Sequence, residues 1–135
     1  MWHAEKGSGC YFNGERCHAS KSQKIEKNSF LLTDSVDPKD GTIRSRLPEC
    51  YARGTGSAGI NFGLVASGNA DGFFATRQKA HELGAGNLLV REAGGMTIDF
   101  KGNLIDDLPY DFNAVHSAIS AGTREIAEEI LKAVQ

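Results

Sequence analysis

Short apolar runs alternate with stretches of helical periodicity from residue 29 to the C-terminus, and this constrains the fold more than any other feature of the chain. Ser29-Phe30-Leu31-Leu32-Thr33 reads as a buried strand. Ser57 stands as an N-cap ahead of Ile60, Leu64, Val65 and Gly68 at helical spacing, and Asn69-Ala70-Asp71-Gly72 stops that helix. Phe73-Phe74-Ala75 is a second strand. A helix over roughly 80–93 follows, with Leu83, Leu88, Leu89 and Val90 apolar and Gly94-Gly95 as its stop. Met96 to Phe100 and Ala114 to Ser120 read as strands, and Thr123 to Val134 as an amphipathic helix with Ile126, Ile130 and Val134 on one face. The first twenty residues read as a hairpin around Cys10-Tyr11-Phe12, with turn signals at Gly7-Ser8-Gly9 and Asn13-Gly14. Asp34 to Pro48, with two prolines and Asp40-Gly41, reads mainly as a loop with one helical turn. The expected fold is α/β, a layered sheet with flanking helices, and 135 residues fill one domain.

Composition narrows the function classes. Fifteen Lys and Arg against seventeen Asp and Glu give a net charge of −2, so bulk charge points to no nucleic-acid partner. The longest uncharged stretch, Gly54 to Ala70, is broken by glycines, hydroxyls and amides and does not read as a membrane span. The start lacks the basic and apolar regions of a secretory signal, which makes the cytoplasm the expected location. Cys10, Cys17 and Cys50 form no CxxC pair and read as reduced, packed thiols. His3, His18, His81 and His116 share no metal-binding spacing and read as surface or structural residues.

Three sets of residues could carry chemistry. Gly54-Thr55-Gly56-Ser57-Ala58-Gly59 satisfies G-x-G-x-x-G, the turn that lets a phosphate sit on a helix N-terminus. A dinucleotide site also needs a preceding strand and an acid closing the next one; residues 48–53 leave only a stub of strand, and Asp71 precedes the next strand. Asp37, Asp40 and Thr42 of Asp37-Pro38-Lys39-Asp40-Gly41-Thr42 form a second set, either hard-cation ligands or solvated turn residues. The third set is Glu82, Glu92 and Asp99; Glu82 starts a helix, where its charge suits the macrodipole. In that helix Gly84, Ala85 and Gly86 are small enough to admit a close neighbour.

Taken together, these pieces resemble the C-terminal half of the inositol monophosphatase family of magnesium-dependent, lithium-sensitive phosphatases. Ala4-Glu5-Lys6-Gly7-Ser8-Gly9 with Asn13-Gly14 resembles the family hairpin A-x-x-G-x-G-A-x-x-N-G. Gly56-Ser57-Ala58 and Val65-Ala66-Ser67-Gly68-Asn69-Ala70-Asp71 resemble its G-S-A and V-A-x-G-x-x-D segments. His81-Glu82-Leu83-Gly84-Ala85-Gly86 followed by Glu92-Ala93-Gly94-Gly95 resembles W-D-x-A-x-G and E-A-G-G.

The resemblance implies that Glu82 stands where the family has a metal-binding Asp, that Gly56, Ser57 and Ala58 bind substrate, and that Ala75 replaces the acid that binds an inositol hydroxyl. The family's upstream Glu and D-P-x-D-G-T have no counterpart ahead of the hairpin. Asp37 to Thr42 repeats that motif letter for letter, but downstream of the hairpin and with Lys39 at the usually apolar position. The expectation is a magnesium-phosphatase-derived domain with no catalytic set of its own, binding no magnesium alone and completed by a missing N-terminal half. The alternatives are a small-ligand or nucleotide-phosphate module and an oligomerising protein, a homodimer joined through Tyr11, Phe12, Phe30 and Leu32.

Overall fold

The computed structural model describes residues 1–33, 38–109 and 111–135, with the side chains of Pro38 and Asp40 outside the description. The chain opens with a three-stranded antiparallel meander, β1 (Trp2–Glu5), β2 (Gly9–Phe12) and β3 (Glu15–Cys17). The expected hairpin is thus two hairpins sharing β2. The second turn is Asn13-Gly14, with φ of 50° and 84°, the doubly left-handed geometry of a two-residue hairpin turn.

Five strands form the main sheet: β4 (Phe30–Thr33), β5 (Tyr51–Arg53), β6 (Gly72–Lys79), β7 (Met96–Ile98) and β8 (Val115–Ala121), in the spatial order β5-β4-β6-β8-β7. β4 is parallel to β5 and β6, and β8 is antiparallel to β6 and β7. Among the described residues four α-helices flank it: α1 (Pro38–Arg46), α2 (Ala58–Ala66), α3 (Ala80–Glu92) and α4 (Arg124–Val134). No helix among the described residues is long and apolar enough to cross a membrane.

Strand alternation divides the core between two faces. Leu32, Phe73, Ala75 and Ala118 join Phe62 and Val65 of α2 and Leu83 and Val90 of α3. Leu31, Phe74 and Ile119 join Ile43 of α1 and Ile126, Ala127 and Ile130 of α4. The meander packs on α2 and α3, giving four layers. Its anchor is Trp2, whose ring covers Gly63 so closely that a Cβ there would lie 2.5 Å away, and whose indole N–H donates to Ser67 Oγ at 3.3 Å.

Several expectations need correction. Residues 38–46 form a nine-residue helix instead of a loop: Pro38 is tolerated in a first turn, where its missing N–H has no intrahelical partner, and buried Ile43 anchors the helix. β6 runs to Lys79, past Ala75, because a bulge between Ala75 and Gln78 lets pairing with β8 resume, whereas β7 stops at Ile98. Leu32 is completely buried and Phe30 partly so, which removes Leu32 from the proposed dimer surface; Phe12 is 38% exposed. Of the three small residues in α3, Gly84 and Ala85 face solvent and only Gly86 meets a neighbour, Phe62.

Asp71 ties the layers together. Its carboxylate accepts from Ser20 Oγ at 2.7 Å and from the Phe30 backbone N–H at 3.0 Å, and its own N–H donates to Phe30 O at 2.8 Å. Asp71→Ala removes the acceptor for two donors, and the expected cost is about 1–3 kcal/mol, with Asp71→Asn losing less. Urea denaturation measures it. An unchanged midpoint in the alanine variant would show that water replaces the carboxylate freely.

Candidate functional site

β4, β5 and β6 are parallel, so their carboxyl ends share one edge of the sheet. Each leads toward a helix there: β4 precedes α1, β5 precedes α2 through residues 54–57, and β6 passes directly into α3. Open α/β sheets bind ligands outside the carboxyl ends of their strands, where helix N-termini present N–H groups and the positive end of the macrodipole. The topology places Gly56, Ser57, Ala58 and Glu82 on this edge.

The α2 terminus is built to be open. Gly56 has a φ of +76°, a conformation glycine adopts without strain, and it turns the chain from β5 into the helix. Ser57 Oγ accepts from the Ile60 N–H at 3.4 Å as N-cap. Thr55 Oγ1 accepts from the Ser57 N–H at 3.2 Å and donates to Asn61 Oδ1 at 2.7 Å, which fixes the loop. An N-cap serine satisfies one first-turn donor, while the N–H groups of Ala58 and Gly59 precede the intrahelical ladder. Around them the loop residues 54–56 are exposed. The arrangement suits an anion. It does not suit a dinucleotide, because β5 has three residues and β6 closes on Lys79 instead of an acid.

The carboxylates are mostly committed. Glu82, partly buried in the first turn of α3, accepts from the Lys79 backbone N–H at 3.3 Å. Asp99 caps the turn after β7: burial pushes its carboxyl up, but bonds from Asn103 and the Lys101 N–H outweigh burial and leave it below its ordinary range. Glu92 reaches from the end of α3 to the Gly7 and Gly9 N–H groups, at 2.8 and 3.1 Å, and these two bonds lower its pKa below the ordinary 4.5. A depressed carboxyl contributes stability that is complete above its unfolded pKa and fades as pH falls through the folded one. Glu92→Gln is therefore expected to lose less stability than the parent between about pH 5 and pH 3, in melts across that range. Parallel curves would show that the clamp contributes nothing.

The Asp37 to Thr42 motif is only partly visible. Asp37 lies outside the described residues, as does the side chain of Asp40. Thr42 is an exposed residue of α1, and it lines a cleft of about 360 Å³ with Lys39, Ile43, Arg46, Thr76, Phe100 and Val134. Among the described residues no three His, Cys, Asp or Glu side chains gather as metal ligands. Magnesium requires near-octahedral oxygen ligands at about 2.0–2.1 Å, a set that Glu82, bonded to a backbone N–H, does not form with the other described residues. Ala75, at the position of the family's hydroxyl-binding acid, is wholly buried between β6 and the α2/α3 layer. Sequence reasoning missed the clamp roles of Asp71 and Glu92. Asp71 directly precedes a strand, and Glu92 lies about eighty residues from the glycines it holds; only the tertiary fold reveals those pairings.

The molecule is a layered α/β domain whose exposed α2 N-terminus lies at the carboxyl edge of three parallel strands. The chain belongs to the inositol monophosphatase family, whose model matches residues 1–135. A Thermotoga maritima protein named fructose-1,6-bisphosphatase/inositol-1-monophosphatase is 32% identical over 95% of this chain and 52% of its own length. Inositol monophosphatase 1 of Xenopus laevis is 30% identical over 100% of this chain and 49% of its own. A solved Thermotoga maritima inositol monophosphatase superposes with a TM-score of 0.83 at 30% identity, covering 98% of this chain and 50% of that one. The chain therefore spans about half the length of the relatives it matches.

Proposed function

We propose that the chain supplies substrate-binding residues of a magnesium-dependent phosphomonoesterase acting on sugar or inositol phosphates, and that it hydrolyses no ester by itself. The observation that carries this reading is the shared edge: the α2 N-terminus and Glu82 lie at the carboxyl ends of parallel strands, where exposed N–H groups would bind a phosphorylated small molecule. The work of this chain is binding and orientation. Ser57 and Thr55 hold the α2 terminus rigid, and the N–H groups of Ala58 and Gly59 face the anion. Metal ions in such enzymes stabilise the attacking and leaving oxygens of an in-line displacement, which needs more ligands than the described residues assemble.

The test is an assay of the purified chain with magnesium on inositol phosphate, fructose bisphosphate and an aryl phosphate. Release no faster than in magnesium buffer is the expected result. Robust turnover abolished by Glu82→Ala would overturn the reading and implicate the Asp37 to Thr42 motif, to be checked with Asp37→Asn and Asp40→Asn. Titration with nucleotides and sugar phosphates separates the alternative: a preference for nucleotides would favour a binding module. We further propose a partner, either a polypeptide carrying the family's remaining metal-binding carboxylates or a second copy of this chain. Sedimentation at micromolar concentration distinguishes monomer from dimer.

A further inference from the structure

Cys10 and Cys17 are directly opposed in the β2–β3 ladder, and the Cys17 thiol donates to Cys10 Sγ at 3.5 Å. Opposed residues of an antiparallel pair have Cα atoms about 4.5–5.5 Å apart, inside the roughly 4.4–6.8 Å that a disulfide accepts. The register is held from both ends. The Asn13-Gly14 turn fixes one, and the Glu92 carboxylate grips the Gly7 and Gly9 N–H groups just before Cys10 at the other. The two sulfurs have to close from 3.5 Å to the bonding distance of about 2.05 Å. Cys50 belongs to the other face of the sheet, against the α1/α4 core.

We propose that Cys10 and Cys17 form an oxidation site, which a small-molecule disulfide of the glutathione class converts to an intrachain disulfide across the second hairpin. Cys10 is fully buried, and burial together with the facing Cys17 sulfur pushes its thiol up to about 12. Cys17 is only partly buried, so it meets the oxidant first. Its thiolate attacks one sulfur of glutathione disulfide, forming a mixed disulfide and releasing one glutathione thiolate, which takes a proton. Cys10 then gives up its proton, attacks Cys17 Sγ and displaces the second glutathione. Two protein thiols are oxidised, one glutathione disulfide is reduced to two thiols, and no other reactant is needed.

The experiment incubates the whole chain with glutathione disulfide, quenches with acid, unfolds it and alkylates the remaining thiols for mass spectrometry. The expected result is loss of two of the three cysteine thiols with no glutathione retained, and a peptide map joining Cys10 to Cys17. Cys50→Ser should preserve that loss, and dithiothreitol should reverse it. Three thiols still open to alkylation, a product that stops with glutathione on Cys17, or a linkage through Cys50 would each overturn the proposal. The parent chain alone decides between these outcomes, whether or not the serine variant folds.

Discussion

Gly122→Ala is expected to destabilise the chain more than the same change at any other glycine among the described residues. A Cβ at Gly122 would lie 1.9 Å from the Ser20 carbonyl oxygen and 2.8 Å from Ser20 N. Both are backbone atoms, which no rotamer change can remove. The Ser20 segment cannot easily withdraw, because Ser20 Oγ is bonded to Asp71 and the Ser22 carbonyl accepts from Thr123 Oγ1, the residue after Gly122. Overpacking usually costs about 1–3 kcal/mol; with a rigid backbone on both sides, about 3 kcal/mol or more is expected here. For a marginally stable domain that is a large share of the total. Gly84→Ala is the matched control. Nothing lies within 4 Å of its Cβ position in an exposed stretch of α3, so the same methyl should stabilise by about 0.5–1 kcal/mol. Urea midpoints moving in opposite directions would confirm both; a Gly122→Ala midpoint equal to the parent would mean that the 18–22 segment moves aside freely.

Elements carrying their own local signals were legible in the sequence. Ser57 was readable as a cap because a hydroxyl preceded an apolar periodic run, and it accepts the N–H three residues on; Thr123, read as the first residue of the last helix, caps it in the same way. Gly94, with a φ of +92°, ends α3 as a C-terminal glycine does. Helix α1 was not legible, because Asp-Pro and Asp-Gly are turn dipeptides and its apolar anchor is a single Ile43. Tertiary packing overrode weak propensity there. The extension of β6 past Ala75 depended on pairing with β8 across a bulge, which no local window contains. At the candidate site the sequence pointed to Gly56-Ser57-Ala58 and Glu82, which the fold sets on one sheet edge, but the hydrogen-bond partners of these polar groups were not legible. The Cys10/Cys17 pair shows why: its spacing matches no motif, yet a two-residue turn sets the residues opposite each other.

Gly86 is the one residue of the Gly84-Ala85-Gly86 stretch that is buried against a neighbour, and its substitution should couple to that neighbour. A Cβ at Gly86 would lie 2.2 Å from Phe62 Cδ2, and Phe62 is fully buried, edge-on to Phe73 with ring centroids 5.1 Å apart. Phe62 is fully buried and packed against Phe73, so Gly86→Ala is expected to cost close to the upper end of about 1–3 kcal/mol. Phe62→Ala alone should cost about 3–5 kcal/mol, through lost transfer energy and the cavity left against Phe73. Phe62→Leu would vacate the space that the Gly86→Ala methyl needs, so the double variant should be more stable than the two single losses predict, by about 0.5–3 kcal/mol. Ala85→Leu, one residue earlier on the exposed face, should change stability by no more than about 0.5 kcal/mol. A double-mutant cycle in urea measures the coupling. Strict additivity would show that α2 and α3 separate to accept the methyl, and the close approach of these two helices would then be a consequence of Gly86 with no packing constraint behind it.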